Sequence, residues 1–132
     1  MSIHDDDRNV LIKHRIEKAE NLSDEVAIHI RNSHLATAVN RIYYGMFHAL
    51  SALALKKGFT TSKHLQLIGW FNRTFVKEGV IDQKFGKMLN TAFELRTKGD
   101  YDDFAEYMPE EVARLYQEMK EFISMIQSLL MK

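Results

Sequence analysis

The stretch "NRIYYGMFHAL", residues 40–50, decides how this chain folds. It lies inside a run from Leu35 to Lys57 that holds no proline and a single glycine, Gly45. On a helical wheel Val39, Tyr43, Met46, Leu50 and Leu53 fall on one side. Arg41, Tyr44, Gly45, His48, Ala52 and Leu55 fall on the other. A helix that is apolar nearly all round is a buried, central one. The spacing therefore predicts a helix over about 34–57 with the rest of the chain packed around it. The same stretch raises a chemical question, because Arg41, Tyr44 and His48 sit on one of those faces. Arg41 and His48 are about 10 Å apart along the axis, with Tyr44 between them.

Further helices are marked off on either side. Ile12, Ile16, Ala19, Leu22, Val26 and Ile30 step by three or four, which predicts a helix over about 6–31. The polar "NLSDE" at 21–25 is a point where it could split. Downstream, Gly58, Gly79 and Gly99 each follow a lysine by one or two positions. Lysine in a last turn suits the negative end of a helix, and glycine just beyond suits a left-handed cap. These three glycines read as helix ends. Thr61 or Ser62 can cap a helix from about Lys63, and Asp82 one from about Gln83. Pro109 followed by Glu110 and Glu111 reads as a first turn. Leu65, Ile68, Phe71 and Phe75 mark the third helix, and Phe85, Leu89, Ala92 and Phe93 the fourth. Val112, Leu115, Met119, Phe122, Ile126 and Leu129 mark a long fifth. No segment alternates as a strand does. The expected fold is all-α: an up-and-down antiparallel bundle of about five helices, forming one domain over residues 1–132.

The composition removes several classes of function. Lys plus Arg number 18 and Asp plus Glu number 18, so the formal net charge is zero. A global basic field for nucleic acid is absent, and any polyanion site must be local. With no cysteine, disulfides, thiolate catalysis and cysteine-ligated metal sites are excluded. No window approaches the ~20 apolar residues of a membrane span. "MSIHDDDRNV" does not read as a secretory signal. The expected location is the cytoplasm, and neither a metal site nor a cofactor is expected.

Two inward arginines carry the functional argument. After Phe85, Leu89 and Ala92, the next inward position of the fourth helix is Arg96. A buried, unpaired charge is costly, so Arg96 needs a partner. "RTKGDYDDF" supplies Asp100, Asp102 and Asp103, with Asp100 nearest and Tyr101 able to stack or donate from the turn. Such an arginine is most often tied into a structural ion pair, and a lone core histidine is more often a hydrogen-bonded group than a catalyst. The functional alternative rests on convergence. Arg41, Tyr44, His48, Arg96 and Tyr101 could face one cleft, and His64, at the start of the third helix beside Lys63, could add a phosphate contact.

At these residues a resemblance emerges. "AVNRIYYGMFHALSALALKKG" resembles the signature helix of small prokaryotic HEPN-domain proteins. "SKHLQLIGWFNRTFVKEG" resembles their next helix, and "LRTKGDYDDF" their Arg-x-x-x-Asp-Tyr segment. The resemblance covers nearly the whole chain, with several motifs in the right order. It implies a HEPN-like four-helix core, a homodimer, and nucleotide or RNA as ligand. It also implies membership of a toxin–antitoxin pair with a small nucleotidyltransferase as partner.

The best-understood members are metal-independent endoribonucleases that use an Arg followed, after four to six residues, by a His. Arg96 matches that Arg by location, but positions 101–103 hold Tyr101, Asp102 and Asp103, so the expected His is missing. The catalytic candidates are then Arg96 with His48, or His64 if it reaches Arg96 in space. The nucleotide- or phosphate-binding candidates are Arg41, Tyr44, His48, His64, Arg96, Asp100 and Tyr101. The reading that follows is a nucleotide- or RNA-binding HEPN domain. Its alternatives are a non-enzymatic partner of a nucleotidyltransferase, with Met119, Met125 and Met131 as an adaptable face, and a ribonuclease toxin.

Overall fold

A computed structural model describes residues 4–132 of the chain; the first three residues of "MSIHDDDRNV" lie outside that range. Five α-helices follow in order: α1 (Asp5–Arg31), α2 (Leu35–Lys56), α3 (His64–Phe71), α4 (Lys84–Tyr101) and α5 (Pro109–Leu130). Among the described residues there is no strand. The architecture is the expected all-α up-and-down bundle. No helix among the described residues is long and apolar enough to cross a membrane.

α2 is the centre. It packs along α1 and against α5 and α4. Its buried face includes Val39, Ile42, Met46, Leu50 and Leu53, none more than 1 % exposed. Burying an aliphatic side chain of this size stabilises the fold by about 1.5–3 kcal/mol. Gly45 lets the neighbours close in: a Cβ there would collide with the end of the Met119 side chain on α5. Met119 is fully buried and Met125 partly buried against the core, while Met131 is exposed. These methionines therefore do not form one surface face. Lys56, at the end of α2, donates to the Leu130 carbonyl and ties the ends of α2 and α5 together.

Several boundaries differ from the sequence expectation. α1 runs through "NLSDE" without a break, because Leu22 and Val26 continue the inward stripe across it. Asp5, Asp6 and Asp7 form its first turn, where carboxylates suit the positive end of the helix. Gly58 (φ 81°) and Gly79 (φ 74°) adopt the left-handed cap. Gly99 does not: α4 continues to Tyr101. Its glycine serves a close approach instead, since a Cβ would stand 2.6 Å from the Tyr107 hydroxyl. The third helix widens after Phe71 into a π-turn over Asn72–Val76, closed by a bond from the Lys77 amide to the Asn72 carbonyl. Asp82 Oδ1 accepts the Lys84 amide at 2.8 Å and starts α4. Thr61 Oγ1 accepts the Lys63 amide at 3.1 Å just before α3.

Candidate functional site

The polar residues of α2 gather on the stripe of that helix that its neighbours leave open. Thr37, Asn40, Arg41, Tyr44, Phe47, His48 and Ser51 recur at helical spacing, and each is only partly buried. Opposite the middle of the stripe, α4 presents Arg96. Its side chain is 16 % exposed, and the guanidinium lies over the Tyr43 ring at 4.9 Å and the Tyr44 and Phe93 rings at 5.5 Å. Those ring faces stabilise a cation where water is scarce. Arg96 Nη1 donates to Asp100 Oδ2 at 2.8 Å, one turn along α4. Its buried Nε has no partner among the described residues.

Tyr43 is the platform beneath this arginine. The ring is fully buried, and its hydroxyl shares a 2.6 Å hydrogen bond with His64 Nδ1. The imidazole stacks on Phe47 at 4.2 Å and on Tyr43 at 5.6 Å. His64 is the first residue of α3, so three helices meet at one ring. Burial pushes the Tyr43 phenol well above its ordinary range, and it stays protonated. Burial, and after it the charge of Arg96, push the His64 imidazole below its ordinary value of 6.5. It is therefore neutral at pH 7, with Nδ1 committed to Tyr43.

Between α2 and α4 lies an open cleft of about 290 Å³, lined by Asn40, Arg41, Arg96, Gly99, Asp100 and Tyr107 among others. Arg41 Nε donates to Glu25 Oε1 at 3.2 Å, and Nη1 to Asn40 Oδ1 at 2.7 Å. Glu25 also bonds His29 Nε2 at 2.8 Å. His29 first, and then Arg41, hold the Glu25 carboxyl below its usual range. Each arginine of the cleft thus has one carboxylate partner and donors to spare, since a guanidinium carries five N–H groups. Two guanidiniums on one open cleft suit an oxyanion, which each can grip through paired hydrogen bonds.

Arg41, Arg96 and Asp100 come together at this cleft, with Tyr44 and His64 beside Arg96. His48 does not join them: it lines a separate cleft with His14, Arg15 and Lys18 of α1. Tyr101 is 86 % exposed and does not line the cleft. The aromatic residue that does so from the α4–α5 connection is Tyr107, whose hydroxyl donates to the Leu95 carbonyl at 2.7 Å. Sequence reasoning passed over Tyr107 because it lies in a loop, outside any periodic pattern. No sequence signal pointed to it, since Gly99, the glycine that makes room for its hydroxyl, reads as a helix end.

The class of protein is an all-α helical bundle, here with an arginine-lined cleft between its central and fourth helices. The chain belongs to the HEPN family, whose domain profile matches residues 12–129. It is 36 % identical to the UPF0332 protein of Thermotoga maritima over 124 residues, 94 % of each chain. It is also 33 % identical, over 87 % of its length and 85 % of the relative's, to a Methanocaldococcus jannaschii protein named as a candidate toxin. A second protein of that organism with the same kind of name is 37 % identical over 76 % of this chain.

Proposed function

We propose that this chain is a nucleotide- or RNA-binding HEPN domain in which Arg41 and Arg96 hold a phosphate group in the cleft between α2 and α4. The observation that carries this reading is that Arg41 and Arg96 line one open cleft and that each guanidinium has more N–H groups than hydrogen-bond partners. Tyr44, half-buried beside Arg96, offers a ring against which a base stacks. The toxin names of two relatives support a place in a toxin–antitoxin pair. In that setting the chain works as a cytoplasmic homodimer, with a nucleotidyltransferase as its partner. Titration with mononucleotides tests the core of this reading. Arg96→Ala weakens binding about tenfold or more, the scale of a lost charge-assisted pair. Absence of mononucleotide binding to the unaltered protein at millimolar concentration overturns it.

One observation favours a second reading, a metal-independent endoribonuclease toxin. The usual Arg-to-His spacing is absent after Arg96, but His64 stands beside Arg96 on the shared Tyr43 platform. RNA cleavage without metal needs a base to take the 2′-hydroxyl proton and a cation to stabilise the charged phosphorane. A neutral imidazole held near Arg96 suits the first role and the guanidinium the second. RNA breakdown in the presence of a chelator, abolished by His64→Ala and by Arg96→Ala, is the expected result. Intact RNA under those conditions removes this second reading and leaves the first standing.

A further inference from the structure

Further along the same open stripe of α2 lies a second cavity system whose charges are arranged quite differently. Two adjoining clefts, of about 430 Å³ and 350 Å³, share Arg15, Ser51, Thr61 and Ser62 in their walls. α1 supplies His14, Arg15 and Lys18; α2 supplies His48; the segment before α3 supplies hydroxyl groups. Among the described residues no carboxylate lines either cleft. Arg15 makes one long hydrogen bond, 3.3 Å to the Ser51 carbonyl, and no ion pair to it is found among the described residues. Burial first, then Lys18, Arg15 and His14, push the His48 imidazole below its ordinary value. The imidazole therefore sits in the positive field of those three side chains. In the Arg41–Arg96 cleft each guanidinium has its carboxylate; here the cations face hydroxyl groups instead.

The Arg41–Arg96 cleft and this trough share no wall residue, but both border the same partly open stripe of α2. From Arg41 to Ser51 the helix rises about 15 Å, and Tyr44, Phe47 and His48 occupy the intervening open stripe, each only partly buried. Aromatic groups between two cationic stations are how single strands are held without sequence reading: phosphates on the cations, bases on the rings. We infer that the trough of Arg15, Lys18, His14 and His48 is a second phosphate subsite, holding the backbone of a single-stranded RNA whose neighbouring phosphate lies at Arg41 and Arg96. This inference rests on the nucleotide-binding reading of the first cleft, and it adds the class of ligand, a strand rather than a free nucleotide.

The test compares a mononucleotide with a labelled RNA of about ten nucleotides, within the span single-strand sites occupy. Three proteins are titrated over a range of salt: the unaltered chain, Arg15→Ala/Lys18→Ala, and Arg96→Ala. A fourth, His14→Ala/Lys18→Ala, changes only exposed side chains and leaves the Arg15 bond to α2 intact. Thermal melts establish that each is folded. The trough variants lose at least tenfold in affinity for the strand while mononucleotide binding stays unchanged. Their salt dependence also flattens by about 1.4 in log–log slope, for two lost contacts at about 0.7 each. Unchanged strand affinity in both trough variants overturns the inference. If Arg96→Ala abolishes mononucleotide binding but the trough variants bind RNA normally, the first reading stands alone. If the trough variants lose RNA while Arg96→Ala changes nothing, the first reading falls and the trough remains a phosphate site.

Discussion

The two faces of α2 obey different rules. The face of Ile42, Met46, Leu50 and Leu53 is fully buried and is held by packing alone. The stripe of Asn40, Arg41, Tyr44, Phe47, His48 and Ser51 is only partly covered and carries hydrogen-bonding groups at nearly every position. A helix needs one covered face to hold its place; the chain around α2 leaves the other open along about 21 Å, from Thr37 to Ser51. Apolar character all round therefore marks α2 as central, and the polar tips along one edge mark where its cover stops.

Substitutions test that contrast most severely on the buried face. Leu50→Ala empties a packed position and lowers unfolding free energy by about 2–5 kcal/mol in urea denaturation. His48→Ala, on the open stripe, changes it by less than about 1 kcal/mol. Equal costs at the two positions would abolish the distinction. Next in size, Gly99→Ala forces a methyl against the Tyr107 hydroxyl. It strains the bond to the Leu95 carbonyl and costs about 1–2 kcal/mol; combined with Tyr107→Phe, the penalty shrinks. Tyr43→Phe keeps the buried ring and removes only its hydroxyl, costing about 1 kcal/mol. By NMR titration, His64 then takes up a proton at a different pH from the parent protein.

The gentlest probe is pH. His48 and His64 both have folded values below 6.5, so between those values and 6.5 the unfolded chain binds more protons than the folded one. Stability from these histidines is fully present above about pH 6.5 and is lost as the pH falls through their folded values. Melting temperature therefore declines on acidification below about pH 6.5, and the decline is shallower in His48→Gln/His64→Gln. A flat profile in the parent would mean the imidazoles are as hydrated as in the unfolded chain.

Much of this was legible in the residues. Apolar spacing located all five helices, because amphipathic stripes are set by local geometry. Arg96 was marked by its place on the Leu89–Ala92 stripe, and its pairing with Asp100 followed from the one-turn separation. What sequence could not supply was which side of α2 each polar group faces in space. His48 turns toward the cations of α1, and His64 reaches Tyr43 across 21 residues. Such meetings depend on how helices are laid side by side. Tyr107 and the bypassed helix end at Gly99 belong together for the same reason: the glycine answers a contact eight residues away, not a turn at its own position.

One buried phenol carries a wider consequence. Arg96 and His64 come from separate helices, yet both rest on the ring of Tyr43. Their mutual position is therefore set by a third side chain that never meets solvent. Cation and imidazole cannot drift apart independently, and a change at residue 43 would alter charge placement and proton affinity in a single stroke. The chemistry at the surface is anchored from below.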